Sequence, residues 1–339
     1  MRAAVLVAPR RFEVRELPVP ACGPDDVLIQ VDHCGICGTD IHMFNGHYAV
    51  ERLPIVPGHE FTGTISRMGD RAGPLVLGQR VVADINIGCG RCYYCRRNEV
   101  LNCAEVRQVG ISRDGAFAQY VSIPGRLVIP APDDAAPSML ALAEPVACVV
   151  RAARKAEVRF GQSVVVLGAG PIGNLHIQMM RLVGAAPIIV VELSPERARL
   201  AEQAGADTVV TDPSRVKDTV LAMTGGRGAD IVIESVGLPQ LYAQAFDLIR
   251  PGGHVAAFGI AGPGDSIPLA LLDTVLKENS VKGSVAGMGE DMHDALTLLL
   301  HGRFDVTPFV NTTYELTAIQ EAFETLKDRP DALKTQIAI

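Results

Sequence analysis

The chain has 339 residues, which is long enough for two domains with separate hydrophobic cores. Its net charge of −7 and its lack of lysine- or arginine-rich runs argue against a broad nucleic-acid surface. No apolar run approaches the ~18 residues that cross a bilayer, and the short run before Arg10 is not typical of a signal peptide. We therefore expect a cytoplasmic protein whose eight cysteines stay reduced and whose clustered cysteines bind metal rather than form disulfides.

The first part of the chain predicts a β-rich domain. Short apolar or alternating runs lie at residues 3–7, 12–17 and 27–31, and two more follow at 61–66 and 80–85. Proline and glycine residues separate these runs, as is common between short strands. This arrangement favours a compact β-rich domain over a helical one.

Residues 37–60 contain a candidate metal site. Cys37, His59 and Glu60 supply a thiolate, an imidazole and a carboxylate, a mixed ligand set that suits Zn²⁺. Thr39 and His42 add a hydroxyl and a second imidazole close by, and these two groups could carry a proton. Taken alone, the same residues also fit a structural interpretation, with Cys37 as a small core residue and His59 at a turn.

The strongest spacing in the sequence is a four-cysteine run, C-x2-C-x2-C-x7-C, formed by Cys89, Cys92, Cys95 and Cys103. Four thiolates so close together match the closed tetrahedral shell of a structural zinc, which leaves no open position for chemistry. An iron–sulfur cluster also takes four cysteines, but the usual two-cluster ferredoxin run places its fourth cysteine sooner and before a proline. Disulfide pairing is the second alternative, and a reducing compartment disfavours it.

Glu144 stands alone among the apolar residues of the run 140–148. Burying a lone carboxylate is costly unless it is paired or bound to a metal, so Glu144 is a candidate metal ligand. The alternative is an exposed glutamate at the start of a helix, because Pro145 is favoured in a first helical turn.

From residue 161 the pattern predicts a dinucleotide-binding unit. A buried-strand run at 163–167 leads directly into a glycine motif, a helical pattern follows, and a second strand at 188–191 ends at Glu192. In this setting the glycines permit a tight turn and the close approach of a pyrophosphate to a helix N-terminus. The acid at the second strand end accepts hydrogen bonds from a ribose and repels a 2′-phosphate, which favours NAD over NADP. The motif comprises Gly168, Ala169, Gly170, Pro171, Ile172 and Gly173.

Alternation of strands and helices continues to about residue 303 and predicts a doubly wound parallel sheet with a ligand crevice at the strand carboxyl ends. The expected strands are 208–210, 231–233, 255–258 and 280–285, and the expected helices are 195–204, 214–223, 239–249 and 290–301. Residues that follow or end the late strands could line the nicotinamide half of the crevice, or could simply pack there. They are Phe258, Gly259, Ile260, Ser284 and Val285. The tail returns to short strands at 309–310, 313–316 and 336–339 with one helix, so we expect it to rejoin the first domain.

In this order, these motifs resemble the zinc-dependent medium-chain dehydrogenase/reductase family, and within it the branch of sorbitol (polyol) and threonine dehydrogenases. The resemblance covers nearly the whole chain. It implies an α/β fold class, with a GroES-like β-rich catalytic domain and a Rossmann domain that has a doubly wound parallel sheet. The first domain would comprise residues 1–150 with 289–339, and the NAD-binding domain residues 151–288.

The resemblance also implies roles for individual residues and two zinc ions per chain, one catalytic and one structural. Cys37, His59 and Glu144 match catalytic-zinc positions, with Glu60 as an exchangeable or water-linked ligand. Thr39 and His42 match a proton relay, and Glu192 and Arg197 match positions around the adenosine ribose.

The function implied is oxidation of a polyol or a related secondary alcohol to a ketone, with hydride transfer to NAD. The glutamate before Pro145 resembles the polyol branch, whereas threonine dehydrogenases tend to carry an aspartate context there. Threonine 3-dehydrogenase activity is the first alternative, and a zinc-free quinone reductase-like relative or a non-catalytic protein are less favoured ones. The partner expected is a small alcohol, with no nucleic acid and no membrane, and the resemblance implies a homotetramer or homodimer.

Overall fold

The structure is a computed structural model that describes residues 1–326 and 332–339. The chain divides into two units. The first contains residues 1–147 and 287–302 and the described part of 306–339, and the second contains residues 148–286 and 303–305. None of the helices within the described ranges is both long enough and apolar enough to span a bilayer.

The elements alternate in character along the chain, with strands at both ends and regular βα alternation in the middle. The strands are β1 (Arg2–Ala8), β2 (Arg11–Glu16), β3 (Asp26–Gly35), β4 (Glu60–Met68), β5 (Arg80–Ala83), β6 (Asn86–Ile87), β7 (Arg107–Gln108), β8 (Tyr120–Pro124), β9 (Val128–Pro130), β10 (Val164–Leu167), β11 (Ile188–Val191), β12 (Thr208–Val210), β13 (Ala229–Glu234), β14 (Ile249–Ala257), β15 (Ser280–Gly283), β16 (Thr313–Glu315) and β17 (Gln336–Ala338). The helices are α1 (Gly38–Phe44), α2 (Pro137–Leu140), α3 (Ala143–Ala156), α4 (Pro171–Leu182), α5 (Pro195–Ala204), α6 (Val216–Met223), α7 (Pro239–Leu248), α8 (Leu271–Leu276), α9 (Glu290–Leu300) and α10 (Ile319–Thr325).

The first unit is built on a sheet in the order β16-β17-β3-β4-β5-β9, with β8 also paired to β3. Strand β3 is central because β4 occupies one of its edges while β8 and β17 share the other. Strand β8 pairs with residues 26–30 of β3, and β17 pairs with residues 33–35. The carboxyl end of β3 therefore has β17 beside it, and Cys37 lies two residues beyond that end. This geometry brings the C-terminal strand to the candidate metal site.

Aromatic packing joins the C-terminal helix to the core of the first unit. The ring of Phe323 on α10 lies 4.8 Å from that of Phe12 and 5.1 Å from that of Phe44 (centroid to centroid). Phe117 approaches the same ring edge-on at 6.1 Å. Burial of such rings is the main source of apolar stabilisation at this point.

The second unit is a six-stranded parallel sheet in the order β12-β11-β10-β13-β14-β15. Strand β10 lies between β11 and β13, so the strand order reverses beside it, and the carboxyl end of β10 is where open α/β sheets bind their ligands. Strands β10 and β11 are fully apolar and fully buried, as expected for a parallel sheet that is covered on both faces. The predicted α/β fold class is confirmed.

Two parts of the sequence behave differently from expectation. The strand expected at 309–310 is wrong, because Thr307–Phe309 forms a 3₁₀ turn in which Pro308 fixes the backbone. Helix α8 was not expected at all. It has only 6 residues, which is too short for a helical period to be recognised in the sequence.

Candidate active site

The three residues predicted to bind metal between 37 and 60 lie together. Cys37 is the residue before α1, and Glu60 begins β4 opposite Gly35, so the end of β3 and the start of β4 hold the set in place. One potential ligand atom each from Cys37, His59 and Glu60 lie within 4.8 Å of one another. His59 and Glu60 are buried and Cys37 is half-buried.

Asp40 organises this group, a role that the sequence analysis did not assign. Its carboxylate accepts the backbone N–H of Cys37 at 2.9 Å and that of Gly58 at 3.3 Å. The same carboxylate lies 3.5 Å from Nδ1 of His59. A carboxylate behind a ligating histidine fixes the ring orientation, as is common in zinc sites. The spacing of three residues between Cys37 and an acid in the first helical turn was the available signal.

Lys334 is the second residue that the sequence analysis missed. Its ammonium donates to both carboxylate oxygens of Glu60, at 2.7 Å and 2.6 Å, and to the carbonyl of Ile36 at 3.2 Å. Burial works to lower the pKa of Lys334, but the negative charges of Glu60, Cys37 and Glu144 raise it. Glu144 therefore lies within electrostatic range of this cluster.

Glu144 is buried, at 7% exposure, so the alternative of an exposed glutamate at a helix start is wrong. Within the described ranges it does not belong to the group of three ligand atoms formed by Cys37, His59 and Glu60. Its position at the first turn of α3 and its charge near Lys334 leave its assignment as a zinc ligand a prediction.

The donor set fits a zinc ion. A thiolate, an imidazole and a carboxylate are ordinary zinc ligands, and Asp40 and Glu144 add further buried negative charge near the Lys334 ammonium. Burial lowers the pKa of His59, but the charges of Asp40 and Cys37 outweigh it and raise that pKa well above its ordinary value. The surroundings therefore favour positive charge at this point, as a divalent cation requires.

Thr39 and His42 lie on α1, the helix that starts beside Cys37. Both are half-buried. Burial and the nearby charge of His47 lower the pKa of His42, whose ring centroid lies 6.5 Å from that of His47. A neutral imidazole at physiological pH can accept a proton, so the position and the charge state of His42 both suit a relay.

The four clustered cysteines form a second potential metal site. One Sγ atom from each of Cys89, Cys92, Cys95 and Cys103 lies within 4.8 Å of all the others, and the Cys89 and Cys95 sulfurs are 4.0 Å apart. Tetrahedral zinc with Zn–S bonds of about 2.3 Å separates its sulfurs by roughly 3.8 Å. All eight cysteines lie in the described ranges and none of them forms a disulfide, so the disulfide alternative is wrong. Backbone N–H groups of Arg91 and Cys92 lower the pKa of Cys89, which favours the thiolate.

The glycine motif forms the predicted turn between β10 and α4. Gly168 has φ of +89°, a conformation that disfavours other residues, and a Cβ on Gly173 would meet the Gly168 carbonyl oxygen. A Cβ on Gly170, in contrast, would have only Arg197 Nη1 nearby, at 3.9 Å. The turn is thus packed tightly on its protein side and open at Gly170, which fits the approach of a phosphate group at the helix start.

Glu192 and Arg197 flank this turn. The Glu192 carboxylate accepts the backbone N–H groups of Ala169 and Ser194, each at 2.8 Å, and is nearly buried. Arg197 Nε is buried and has no hydrogen-bond partner within the described residues. A fixed acid and a half-buried arginine beside one turn fit a ribose and a phosphate.

Exposed apolar side chains follow several strands at the carboxyl edge of the parallel sheet, where an aromatic cofactor would cover them. They are Leu193 after β11, Val236 and Leu238 after β13, Ile260 after β14 and Val285 after β15. Phe258 and Gly259 are held by the Glu234 carbonyl, which accepts their N–H groups at 3.1 and 2.8 Å. Ser284 donates its N–H to the Ala257 carbonyl, and its buried hydroxyl has no partner within the described residues.

Comparison with known proteins decides the family. Residues 23–133 match the alcohol dehydrogenase GroES-like domain, and residues 171–301 match the zinc-binding dehydrogenase domain. L-threonine 3-dehydrogenase from Mesorhizobium japonicum is 31% identical over 321 residues, which is 93% of this chain and 92% of the relative. The chain belongs to the zinc-dependent medium-chain dehydrogenase/reductase family.

Other members of this family show similar relationships. A sorbitol dehydrogenase from Halalkalibacterium halodurans is 33% identical over 320 residues, covering 93% of this chain and 92% of that one. A structure described as that of a zinc-binding dehydrogenase from Sinorhizobium meliloti 1021, bound to NADP, has a TM-score of 0.91 and 31% identity. The match covers 100% of this chain and 99% of the chain in that structure. The protein is therefore a zinc-binding oxidoreductase of the alcohol, sorbitol and threonine dehydrogenase type, and the predicted family and enzyme class are confirmed.

Proposed function

We propose that this dehydrogenase oxidises a polyol, or a related secondary alcohol with vicinal hydroxyls, to a ketone with NAD as the hydride acceptor. The observation that carries the proposal is the buried group of Cys37, His59 and Glu60 with Glu144 in electrostatic range. Residues 1–150 with 289–339 would act as the catalytic domain, and residues 151–288 as the NAD-binding domain.

In this proposal Cys37, His59 and a carboxylate from Glu144 or Glu60 hold the catalytic zinc. Zinc supplies Lewis-acid chemistry that makes an alcohol hydroxyl easier to deprotonate. Asp40 keeps the His59 ring in its orientation, and Lys334 holds Glu60. Thr39 and the neutral imidazole of His42 take the proton that the alcohol loses and pass it towards the surface. The four-cysteine group holds the second, structural zinc, which contributes to folding rather than to chemistry.

For the dinucleotide we assign Glu192 to the ribose hydroxyls and Arg197 to the pyrophosphate. The two backbone hydrogen bonds to Glu192 fix its carboxylate, and its charge would repel a phosphate at the 2′ position. Arg197 is adjacent to the open side of Gly170, where the pyrophosphate is expected. The NADP-bound relative shows that this fold also accommodates the 2′-phosphate, so the preference for NAD rests on Glu192.

The substrate is tested by initial rates with NAD against butane-2,3-diol, sugar alcohols, simple secondary alcohols and L-threonine. The proposal expects the highest kcat/KM for a vicinal diol, because a second hydroxyl beside the reacting one helps to orient the carbon for hydride transfer. L-threonine 3-dehydrogenase activity is the second candidate, supported by the name of the relative from Mesorhizobium japonicum. If kcat/KM for L-threonine exceeds that for every polyol by more than tenfold, which corresponds to about 1.4 kcal/mol, threonine oxidation becomes the assigned function and polyol oxidation is rejected.

We also propose that the protein is a cytoplasmic homo-oligomer that associates through α8 and β15. Strand β15 ends the parallel sheet, and an open sheet edge readily pairs with a second chain. Four apolar residues of the adjacent helix α8 are between 72% and 73% exposed, namely Leu271, Leu272, Val275 and Leu276. A second copy of the chain, joined about a two-fold axis, would cover both features at once. Eight cysteines that form no disulfide suit a reducing compartment.

A further inference from the structure

A buried polar network in the first unit ends on the segment 287–289. Asn86, at the start of β6, donates its side-chain N–H to the Gly287 carbonyl at 3.1 Å. The same amide donates to Asp84 at 2.9 Å and accepts from Gln108 at 2.9 Å. Asp84 in turn accepts the backbone N–H of Gly289 at 2.8 Å. Asn86 and Asp84 are 1% and 4% exposed, so water does not compete for these bonds.

The opposite side of this segment is pressed against helix α3. A Cβ added to Gly287 would lie 2.4 Å from the backbone carbon and the Cβ of Ala147. Ala147 is three residues after Glu144, so both lie on the same face of α3 one turn apart. Residue 287 is thus held from two directions, by the Asn86 amide and by the α3 backbone beside the candidate zinc ligand.

The segment directly before Gly287 contains Ser284 and Val285, the residues that we predict to line the nicotinamide. Strand β15 ends at Gly283, so only 284–286 separate the sheet from the anchored residues. Ser284 donates its N–H to the Ala257 carbonyl at the end of β14, so only residues 285 and 286 lie between that bond and Gly287. Displacement of Gly287 should therefore reach Ser284 and Val285.

We propose that Asn86 and Asp84 are positioning residues for the dinucleotide, which they serve by anchoring 287–289 and thereby setting the conformation of 284–286. The inference rests on the proposed function, because it takes 284–285 as part of the cofactor site. Burying the Asp84 carboxylate costs free energy. In return it accepts the backbone N–H groups of Asn86 and Gly289, and an apolar residue at this position could not make these bonds.

The experiment compares three variants with the wild-type protein. Asn86→Ala removes the anchor, Asn86→Asp keeps its shape but replaces the donor with an acceptor, and Gly287→Ala pushes the same segment away from Ala147. Thr224→Val is the matched control, since it removes buried hydrogen bonds to Val220 and Gly228 elsewhere in the second unit. Binding of NADH is measured by its fluorescence, which the absence of tryptophan simplifies.

The expected result is NADH affinity at least tenfold weaker in the three variants, about 1.4 kcal/mol, and within twofold of wild type in the control. The KM for NAD should rise more than the KM for the alcohol, with two zinc ions retained. Hydrogen exchange at the Gly289 amide should accelerate in Asn86→Ala, a readout that does not depend on activity.

The outcomes separate this inference from the proposed function. Wild-type protein that binds neither NADH nor NADPH would refute the proposed function itself. If wild type binds NADH and the folded variants bind it within twofold, only the positioning role is rejected. If none of the three variants folds, the network is a requirement of folding, and the positioning role is likewise rejected.

Discussion

Lys334 and Glu60 form a buried ion pair, with the Lys334 ammonium 2.6 Å from one carboxylate oxygen, although the two residues lie 274 positions apart. Lys334 lies two residues before β17, and Glu60 is the first residue of β4. The two residues meet because both strands pair with β3. The residues that lead into β17 therefore place a cation against a candidate zinc ligand. With Lys334 in place, both Glu60 oxygens accept hydrogen bonds from its ammonium.

Lys334→Met should destabilise the zinc-free protein by about 3–5 kcal/mol, because it leaves the Glu60 carboxylate buried without a partner. Loading with zinc should recover part of the loss, since Glu60 can then bind the metal. Urea unfolding of zinc-free and zinc-loaded protein measures both effects. Lys277→Met is the control. It removes an exposed pair with Asp273 and should cost about 0.5 kcal/mol or less. A zinc-free Lys334→Met protein within about 1 kcal/mol of wild type would contradict the assignment.

The two proposed zinc ions should be separable by mutation. Cys37→Ser should abolish turnover but leave a folded protein that still binds NADH, because the catalytic ion contributes chemistry more than folding. Cys92→Ser should lower the unfolding temperature or the yield of folded protein, because a closed four-thiolate shell stabilises the loop that contains it.

Metal analysis checks the same assignment, with two zinc ions per chain expected in wild type and one in each variant. Cys22→Ser is the control, since Cys22 lies outside both clusters, and it should keep both ions. One zinc or fewer in wild-type protein prepared without chelators would count against the assignment.

Glu192→Ala should narrow the preference for NAD over NADP by roughly tenfold in kcat/KM, because it removes the charge that opposes a 2′-phosphate. Glu192→Gln also removes the charge but keeps one acceptor oxygen, so it can still accept only one of the N–H groups of Ala169 and Ser194, which bond to different Glu192 oxygens. Arg197→Gln should weaken the binding of NAD and of NADP to a similar degree, because both cofactors contain the pyrophosphate that Arg197 would contact. A wild-type enzyme with higher kcat/KM for NADP would overturn the assignment of Glu192.

Self-association should depend on helix α8. Leu272→Glu with Val275→Glu places two charges on the exposed apolar face and should shift the protein to monomer in sedimentation experiments, with no change in zinc content. Leu77→Glu is the control, because Leu77 is also exposed, at 63%, but lies in the first unit. A monomeric wild type, or an unchanged oligomer in the double variant, would argue against this interface.

The sequence predicted the parts of the protein that depend on local spacing. The four cysteines, the glycine turn and the set from Cys37 to Glu60 could be found because their members lie within a few dozen residues of one another. Lys334 and Asn86 could not, because their partners Glu60 and Gly287 are 274 and 201 positions away and meet them only in the folded protein. Asp40 was accessible in principle, since an acid three residues after a helix cap is a local pattern. Helix α8 was not predicted because its 6 residues are too few to show a helical period.

His176 gives a prediction about pH. It lies on α4 with its ring edge-on to Phe258 at 4.8 Å, fully buried, and neither ring nitrogen has a hydrogen-bond partner within the described residues. Burial lowers its pKa to about 3. The folded state therefore keeps this ring neutral where the unfolded chain, with a pKa of about 6.5, takes up a proton. Stability from this site is fully present above about pH 6.5 and is lost as the pH falls towards 3.

His176→Met removes the titrating group and should flatten this dependence. Between pH 7 and pH 5 the wild-type free energy of unfolding should fall by about 2 kcal/mol more than that of the variant. The reason is that the unfolded wild type binds one more proton than the folded state below about pH 6.5, which lowers the free energy of unfolding by about 1.36 kcal/mol per pH unit. Urea unfolding at both pH values measures the difference. His301→Gln, which replaces an exposed histidine at the end of α9, should leave the pH dependence as in wild type. Equal losses in wild type and His176→Met would mean that the buried ring gains a proton or a partner in solution, and the assignment of a neutral, unpaired His176 would then be wrong.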